Sequence, residues 1–481
     1  MKKTGKTVVW FRRDLRLSDH APLVAAAQRG QVIPVYILPS EADEESLGAA
    51  SKWWLHHSLK QLERALEAKG LRLIYRSGPL LQALDEICQE TDADGLVWHR
   101  LYEKRSVEIE DLILQRFRER LDFVEGFPGS LLVEPWSLMN QSGSPFKVFT
   151  PFWKRCIQRL SPARPLPSPR GIESPTNWPR SEGLDDWRLL PSIPWADGLS
   201  LEWQPGEQGA LAQLDALLGE RLLAYYDERN RPDHEGTSRL SPYLHFGELS
   251  PRQIWAALDS FAIRNGIGGL TWKGWQFVSE LGWREFAAYL LYHFPSTVSE
   301  PLRAEFKHYP WDSKKTHLKA WQQGQTGYPM VDAGMRELWH MGWMHNRVRM
   351  IVASFLIKHL LVPWQDGAAW FWDTLVDADL ASNTLGWQWT AGCGADAAPY
   401  FRIFNPITQG EKFDPNGDYV RRWVPELASL PDKYLNRPWE APVDVLRAGK
   451  VTLGLDYPHP VVDHPFARQR ALDGYAKMRN A

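Results

Sequence analysis

The stretch from Gly342 to Phe413 gathers the densest mixture of chemistry-bearing side chains in the sequence. It opens with Gly-Trp-Met-His-Asn-Arg-Val-Arg-Met (342–350) and crosses an apolar run to Asp377-Ala-Asp-Leu-Ala-Ser-Asn383. Gly386-Trp-Gln-Trp389 and Arg402-Ile-Phe-Asn-Pro406 follow. Paired acids, amides, arginines and tryptophans in one place are too polar for a plain core and too aromatic for a solvated face. At helical spacing Trp343, Asn346, Arg347 and Met350 fall on one face. An amide between a tryptophan and a methionine, in reach of two arginines, suits the wall of a flat, charged ligand. Asp377 and Asp379 lack the companions that metal ligands need. Pairing with Arg349, or accepting from ligand N–H groups, fits them better.

Two further stretches carry chemistry. In Phe277-Val-Ser-Glu-Leu-Gly-Trp-Arg-Glu-Phe286, Glu280 and Arg284 stand four apart. That spacing is either a surface pair worth a few tenths of a kcal/mol, or a carboxylate at an aromatic cavity formed with Phe277 and Trp283, where it must be paired or protonated. Glu235-Gly-Thr-Ser-Arg-Leu-Ser-Pro242 precedes a helix. Its hydroxyls, with Arg239 and the free amides of a helix start, offer an anion site; an N-cap followed by a surface turn reads equally well.

These residues need elements to place them. A chain of 481 residues exceeds what one core usually supports, so two domains and a linker are expected. Val8–Phe11, Val32–Leu38, Leu71–Tyr75, Gly95–Trp98 and Leu121–Val124 read as buried strands. Ala50–Lys69, Leu80–Glu90 and Glu103–Arg120 read as helices, with Gly70 as a helix stop. The alternation predicts a doubly wound parallel sheet over residues 5–134. No Gly-x-Gly-x-x-Gly follows the first strand; the turn reads Phe-Arg-Arg-Asp-Leu-Arg-Leu-Ser-Asp (11–19), so a dinucleotide cradle is not expected there. Residues 135–205, rich in proline and tryptophan, read as an ordered connector, and 206–477 as an all-helical domain.

Composition removes several classes. No run of about 18 apolar residues could span a bilayer, and the lysine-rich start lacks a signal-peptide core, so no membrane association and a cytoplasmic location are expected. The three cysteines lie far apart without metal-ligand spacing, and no metal site is expected. A net charge of −2 means that any nucleic-acid surface must be assembled by folding. The 25 tryptophans are several times ordinary usage; a Trp-rich core accounts for most of them, and the excess points to stacking on a ligand or to electron transfer.

Taken together, Val8-Val-Trp-Phe-Arg-Arg-Asp-Leu-Arg16, Glu-Gly-Thr-Ser-Arg-Leu-Ser (235–241), Glu-Leu-Gly-Trp-Arg-Glu-Phe (280–286), Gly-Trp-Met-His-Asn-Arg (342–347) and Gly-Trp-Gln-Trp through Phe-Arg-Ile-Phe-Asn-Pro (386–406) resemble the photolyase/cryptochrome flavoprotein family over essentially the whole chain. The resemblance implies an N-terminal α/β antenna-binding domain and a C-terminal helical domain holding FAD in a folded conformation. By the same resemblance Tyr225, Thr237, Ser238, Arg239, Leu240 and Ser241 contact the phosphates and ribose. Phe277, Glu280, Arg284, Trp343 and Asn346 line the cofactor pocket. Arg349 and Asp377 form a salt-linked pair beside the isoalloxazine, Asp379 stands at its N–H side and Asn383 faces N5. Trp387, Trp364 and Trp311 match the relay of electrons to the flavin.

Glu280, Trp283, Asn346 and Met350 match the lesion wall of enzymes that repair cyclobutane pyrimidine dimers (CPDs); enzymes for the (6-4) lesion carry histidines at the last two positions. The mixture of these residues with a plant-cryptochrome-like Phe371–Ser382 segment resembles bacterial class III CPD photolyases. Arg229, Arg347 and Lys412, with Trp283 and Asn346, are the expected contacts to DNA containing pyrimidine dimers. Arg105 and Ser106 replace the Asn-Glu pair that folate-binding class I enzymes carry. The expected antenna is therefore 5,10-methenyltetrahydrofolate in a different pose, with a deazaflavin as the alternative. The alternative function is a blue-light receptor without repair activity. Asn383 in place of the plant Asp, and a chain ending at Ala481 without a long tail, argue for repair. A monomer is expected.

Overall fold

The structure is a computed structural model describing residues 5–480 apart from 42, 44, 270, 313 and 398–400, with the backbone alone at 220. The chain forms two compact units. One comprises Met1–Pro194, Trp203–Glu220 and Ser238–Pro295; the other Trp195–Glu202, Arg221–Thr237 and Ser296–Ala481.

In the first unit, β1 (Gly5–Phe11), β2 (Gly30–Pro39), β3 (Ile74–Gly78), β4 (Gly95–His99) and β5 (Phe123–Phe127) make one parallel sheet in the order β3-β2-β1-β4-β5. The crossovers are α1 (Ala21–Arg29), α2 (Ala49–Glu67), α3 (Leu80–Thr91) and α4 (Lys104–Phe117). β1 lies at the centre, pairing Val8 with Ile33 on one side and with Leu96 on the other. Val8, Trp10, Val35 and Trp98 are buried in the core, which accounts for their unbroken apolar runs. This is the doubly wound sheet that the alternation predicts.

Three local differences have physical causes. β3 begins three residues later than expected, because Leu71 N donates to Leu66 O in a turn built on Gly70, with φ +77°. Pairing with β2 then starts at Val35 and Ile74. α1 gives no periodic signal in its nine alanine-rich residues; it is started by His20, whose Nδ1 accepts from Leu23 N at 3.1 Å. The turn after β1 is organised by Asp14 in place of glycines. Its Oδ1 accepts from Arg12 N at 2.6 Å, and its Oδ2 lies 2.8 Å from both His20 Nε2 and His99 Nδ1. Farther along this unit, α5 (Phe149–Arg159) packs on the Gln276–His293 helix.

The second unit is helical, with no strand among its described residues beyond the isolated bridge Leu453–Tyr457. Its core collects Val348, Ile351, Leu356, Trp364, Phe371 and Trp387. No helix of the described residues is long and apolar enough to cross a membrane. The Trp364–Thr374 helix meets Trp387 of the Leu380–Ala391 helix at Gly367, where an added Cβ would stand 2.1 Å from Trp387 Cη2. Gly367→Ala is therefore expected to displace Trp387 and cost about 1–3 kcal/mol of stability. Chemical denaturation measures this, and an unchanged midpoint would show that the contact yields freely.

Candidate functional site

In the second unit, Gly342 ends the Pro329–Met341 helix at φ +62°. A Cβ there would meet Val376 Cγ1 at 2.8 Å, and Val376 N donates to Gly342 O at 2.7 Å. Glycine thus lets the 375–379 loop lie against the start of the 342–350 motif. His345 caps the next helix, Asn346–Ser354, its Nδ1 accepting from Arg347 N at 3.1 Å. This cap corrects one expectation: the helix begins at Asn346, so buried Trp343 stands before it and does not continue its face. Asn346 is exposed, and Arg347 and Met350 do share a face, with Nη1 3.7 Å from Sδ.

The cap fixes a tautomer. With Nδ1 accepting, the proton of neutral His345 sits on Nε2, which is buried without a hydrogen-bond partner among the described residues. Burial, reinforced by Arg347, Arg349 and Arg229, pushes the His345 pKa down to about 3. Arg349 is held by Nε to Met344 O at 2.7 Å and by Nη2 to Asp377 Oδ2 at 2.9 Å. The Asp377 side chain is 4% exposed, and its Oδ1 is buried with no partner among the described residues. A carboxylate oxygen in that state is costly unless something donates to it. The pairing of Arg349 with Asp377 is the one read from the sequence.

Asp379 caps the Leu380–Ala391 helix by accepting from Ser382 N at 2.8 Å, and Asn383 Nδ2 donates to Ala368 O at 3.1 Å. The cap fixes where this acid stands, and the bond to Ala368 O fixes the amide. Arg347 donates to Asn230 Oδ1 at 2.7 Å and lies 4.4 Å over the Phe413 ring, which Lys412 Nζ also approaches at 5.2 Å. Arg229 lies close enough to help lower the Arg347 pKa, after burial. Folding thus assembles a basic cluster from positions far apart in sequence. Asn230 was not singled out, since nothing local signals a partner 117 residues away.

Tyr225 is buried, and the chain turns back tightly on its helix at Gly236, where a Cβ would meet Glu228 O at 2.6 Å. Half-buried Thr237 follows. Trp364 and Trp387 are buried in the core of this unit, with Trp311 packed against it. Trp387 meets Phe371 at 5.0 Å and Trp321 at 6.2 Å between ring centroids, and Trp321 is a neighbour that sequence reading missed.

In the first unit, Ser241 opens a helix of only five residues. The 238–241 segment therefore offers its side chains more than a helix end. Arg239 takes φ +51° and stacks its guanidinium 4.4 Å over Trp203, Leu240 is buried, and Gln213 donates to Ser238 O at 3.0 Å. On the Gln276–His293 helix, Phe277 is buried and Trp283 stacks on Phe149 with centroids 3.9 Å apart. Spacing suggested Arg284 as the partner of Glu280. The partners found are Gln276, donating to Glu280 at 2.8 Å, and, for Arg284, Ser130 O at 2.8 Å with Glu285 at 3.7 Å. Glu285 was not singled out from sequence. It is buried and accepts from Leu132 N and Val133 N, and burial raises its pKa to about 7 despite Arg284.

Folding also gathers Asp14, His20 and His99 closely enough to hold a metal ion, a cluster that sequence spacing did not announce. Its hydrogen bonds favour a different use. His20 Nδ1 accepts from Leu23 N, so its Nε2 carries the proton and donates to Asp14. Asp14 is held well below the usual carboxylate range by His20 and His99 against the opposing effect of burial.

Residues 277–477 match the family model of the FAD binding domain of DNA photolyase, and residues 7–170 that of DNA photolyase. The chain is 48% identical over 479 residues to the deoxyribodipyrimidine photo-lyase of Agrobacterium fabrum, covering 99% of each. It is 38% identical to cryptochrome-2 of Arabidopsis thaliana, covering 100% of this chain and 80% of that one. The crystal structure of a bacterial class III photolyase from Agrobacterium tumefaciens superposes with a TM-score of 0.96 at 48% identity, covering 100% of this chain and 99% of that one.

The His345 shift sets a pH dependence. Between pH 6.5 and 3 the unfolded chain binds a proton at this ring that the native state does not. Stability therefore falls as pH drops through that window, by about 1.4 kcal/mol per pH unit for this group. His345→Gln is expected to flatten the acid limb of the stability curve by about one proton, as measured by urea unfolding at a series of pH values. An unchanged slope would mean that the ring is charged in the native state.

Proposed function

The chain belongs to the photolyase/cryptochrome family, and from that premise we propose that it binds FAD and splits cyclobutane pyrimidine dimers in DNA under light, the reaction of a deoxyribodipyrimidine photo-lyase. The observation that carries the reading is the Arg349–Asp377 pair with its buried, open Oδ1. A flavin ring fits there because its N–H groups can donate to that oxygen, while Arg349 occupies the other oxygen of the carboxylate. When bound, reduced FAD supplies on absorbing blue light the electron that opens the cyclobutane ring.

The chain's own residues bind, orient and shield. Arg349, Asp377 and Asp379 would hold the ring, Asn383 would stand beside it, and Phe277, Arg284 and Trp343 would contribute to its binding. Tyr225, Thr237, Ser238, Arg239, Leu240 and Ser241 take the phosphates and ribose. A dimer must leave the base stack to be reached, and its weakened pairing lowers that cost. Trp283 stacks on the extruded dimer, Asn346 and Met350 border it, and Glu280 meets its carbonyl where charge develops. Arg229, Arg347 and Lys412 neutralise backbone phosphates, a contribution that is independent of base sequence. Trp311, Trp364 and Trp387 relay electrons that keep the flavin reduced.

Residues 5–134 form the antenna-binding domain, joined through 135–205 to the FAD-binding domain, 206–477. The antenna is 5,10-methenyltetrahydrofolate, and an absorption spectrum distinguishes it from a deazaflavin. The protein acts as a monomer in the cytoplasm, where its DNA substrate is reached.

Reduced holoprotein mixed with dimer-containing DNA is expected to lower the dimer content in the light and not in the dark. Unchanged dimer content with FAD bound would sink the repair reading and leave that of a light receptor. Glu280→Ala is expected to retain FAD and repair severalfold less efficiently. Loss of flavin from that variant would instead make Glu280 a structural residue.

A further inference from the structure

Within the second unit, a cavity of about 20 Å3 lies at the π-helical turn Phe355–His359, lined by Ser354, Lys358, Trp389, Arg402 and Phe404 among others. Lys358 is only 3% exposed. Its Nζ donates to Arg402 O at 2.6 Å and lies 4.2 Å over the Phe401 ring, which leaves ammonium N–H bonds without an acceptor. Arg402, an exposed residue at the cavity's edge, carries a second cation, its guanidinium 4.8 Å over Phe404. Neither forms an ion pair among the described residues. Ser354 Oγ accepts from Phe404 N at 3.3 Å, so its own O–H remains to donate.

A buried ammonium and a free hydroxyl donor at one small cavity, with no acid on its lining, leave it short of a negative charge. Burial, with a smaller contribution from Arg402, pushes the Lys358 pKa down to about 7 against the raising effect of Cys393. That is how a lysine behaves when its counter-ion is missing. The space suits one or two water-sized species and excludes an organic anion.

We propose that this cavity is a binding site for one halide-sized inorganic monoanion, held by the Lys358 ammonium, the Arg402 guanidinium and the Ser354 hydroxyl. The occupant joins three pieces of chain: the π-helical turn, the segment around Arg402, and the end of the Leu380–Ala391 helix, where Trp389 lines the cavity. That last helix carries Asn383 and Trp387. Its clamp is thus a charge contact set apart from the flavin-holding residues.

The test uses the FAD-loaded full chain. At constant ionic strength, the melting temperature is expected to be about 1–2 °C higher in chloride than in gluconate, which is too large for the cavity. Lys358→Met is expected to remove the difference. Crystals of the unaltered protein soaked in bromide are expected to show an anomalous peak between Lys358 Nζ and the Arg402 guanidinium, a readout that survives even if the variant fails to fold. Equal melting in both salts overturns the proposal. So does a chloride effect without a bromide peak in this cavity, which places the anion elsewhere.

Discussion

A carboxylate cannot sit at 4% exposure without a partner, and for Asp377 that partner is Arg349. The arginine reaches it because Arg349 Nε is anchored on Met344 O and the Asn346–Ser354 helix is started by His345. The loop bearing the acid is drawn in by the bond between Val376 N and Gly342 O, at a position where only glycine avoids Val376. One ion pair thus fixes the relation between two helix starts. It satisfies only one oxygen of the acid. The other stays open in the interior among the described residues, and it is this oxygen that we propose meets the N–H groups of the flavin. A fully satisfied pair would be only a structural staple.

Much of this was legible in the sequence because it was local. Continuous apolar runs separated by amphipathic stretches specify the parallel sheet, since buried strands and crossover helices differ in period. The chemistry of the motif at 342–350 and of the acids at 377 and 379 reads as a ligand wall, and pairing with Arg349 is one of the two uses that the sequence offers for the acids, the one that the structure shows for Asp377. What stayed hidden depends on tertiary closure. The His20 cap that starts α1 is a side-chain choice that no periodicity reveals. Trp343 fell outside its expected helix because a histidine can cap, which spacing does not show. Arg284 found Ser130 instead of confirming the simple i,i+4 pairing, because a partner 154 residues away is invisible to a helical wheel.

The tryptophans divide in the same way. Their number suggested electron transfer, and family resemblance selected Trp311, Trp364 and Trp387. Packing adds what the count could not. Trp387 is wedged between Gly367, Phe371 and Trp321, so its ring is immobilised by shape on several sides. A ring fixed in this way moves little when its charge changes. Dense packing and redox use are therefore compatible roles for the same side chain, and core burial does not argue against the relay.

Flavin binding, as proposed, depends most on the open Oδ1 of Asp377. Its most direct test is the dissociation constant of FAD for the unaltered chain and for Asp377→Asn, with helix content followed by circular dichroism. A hydrogen bond to a buried charge is worth about 2 kcal/mol, so binding is predicted to weaken roughly thirtyfold with the helices intact. Equal affinity for the two proteins would contradict the account.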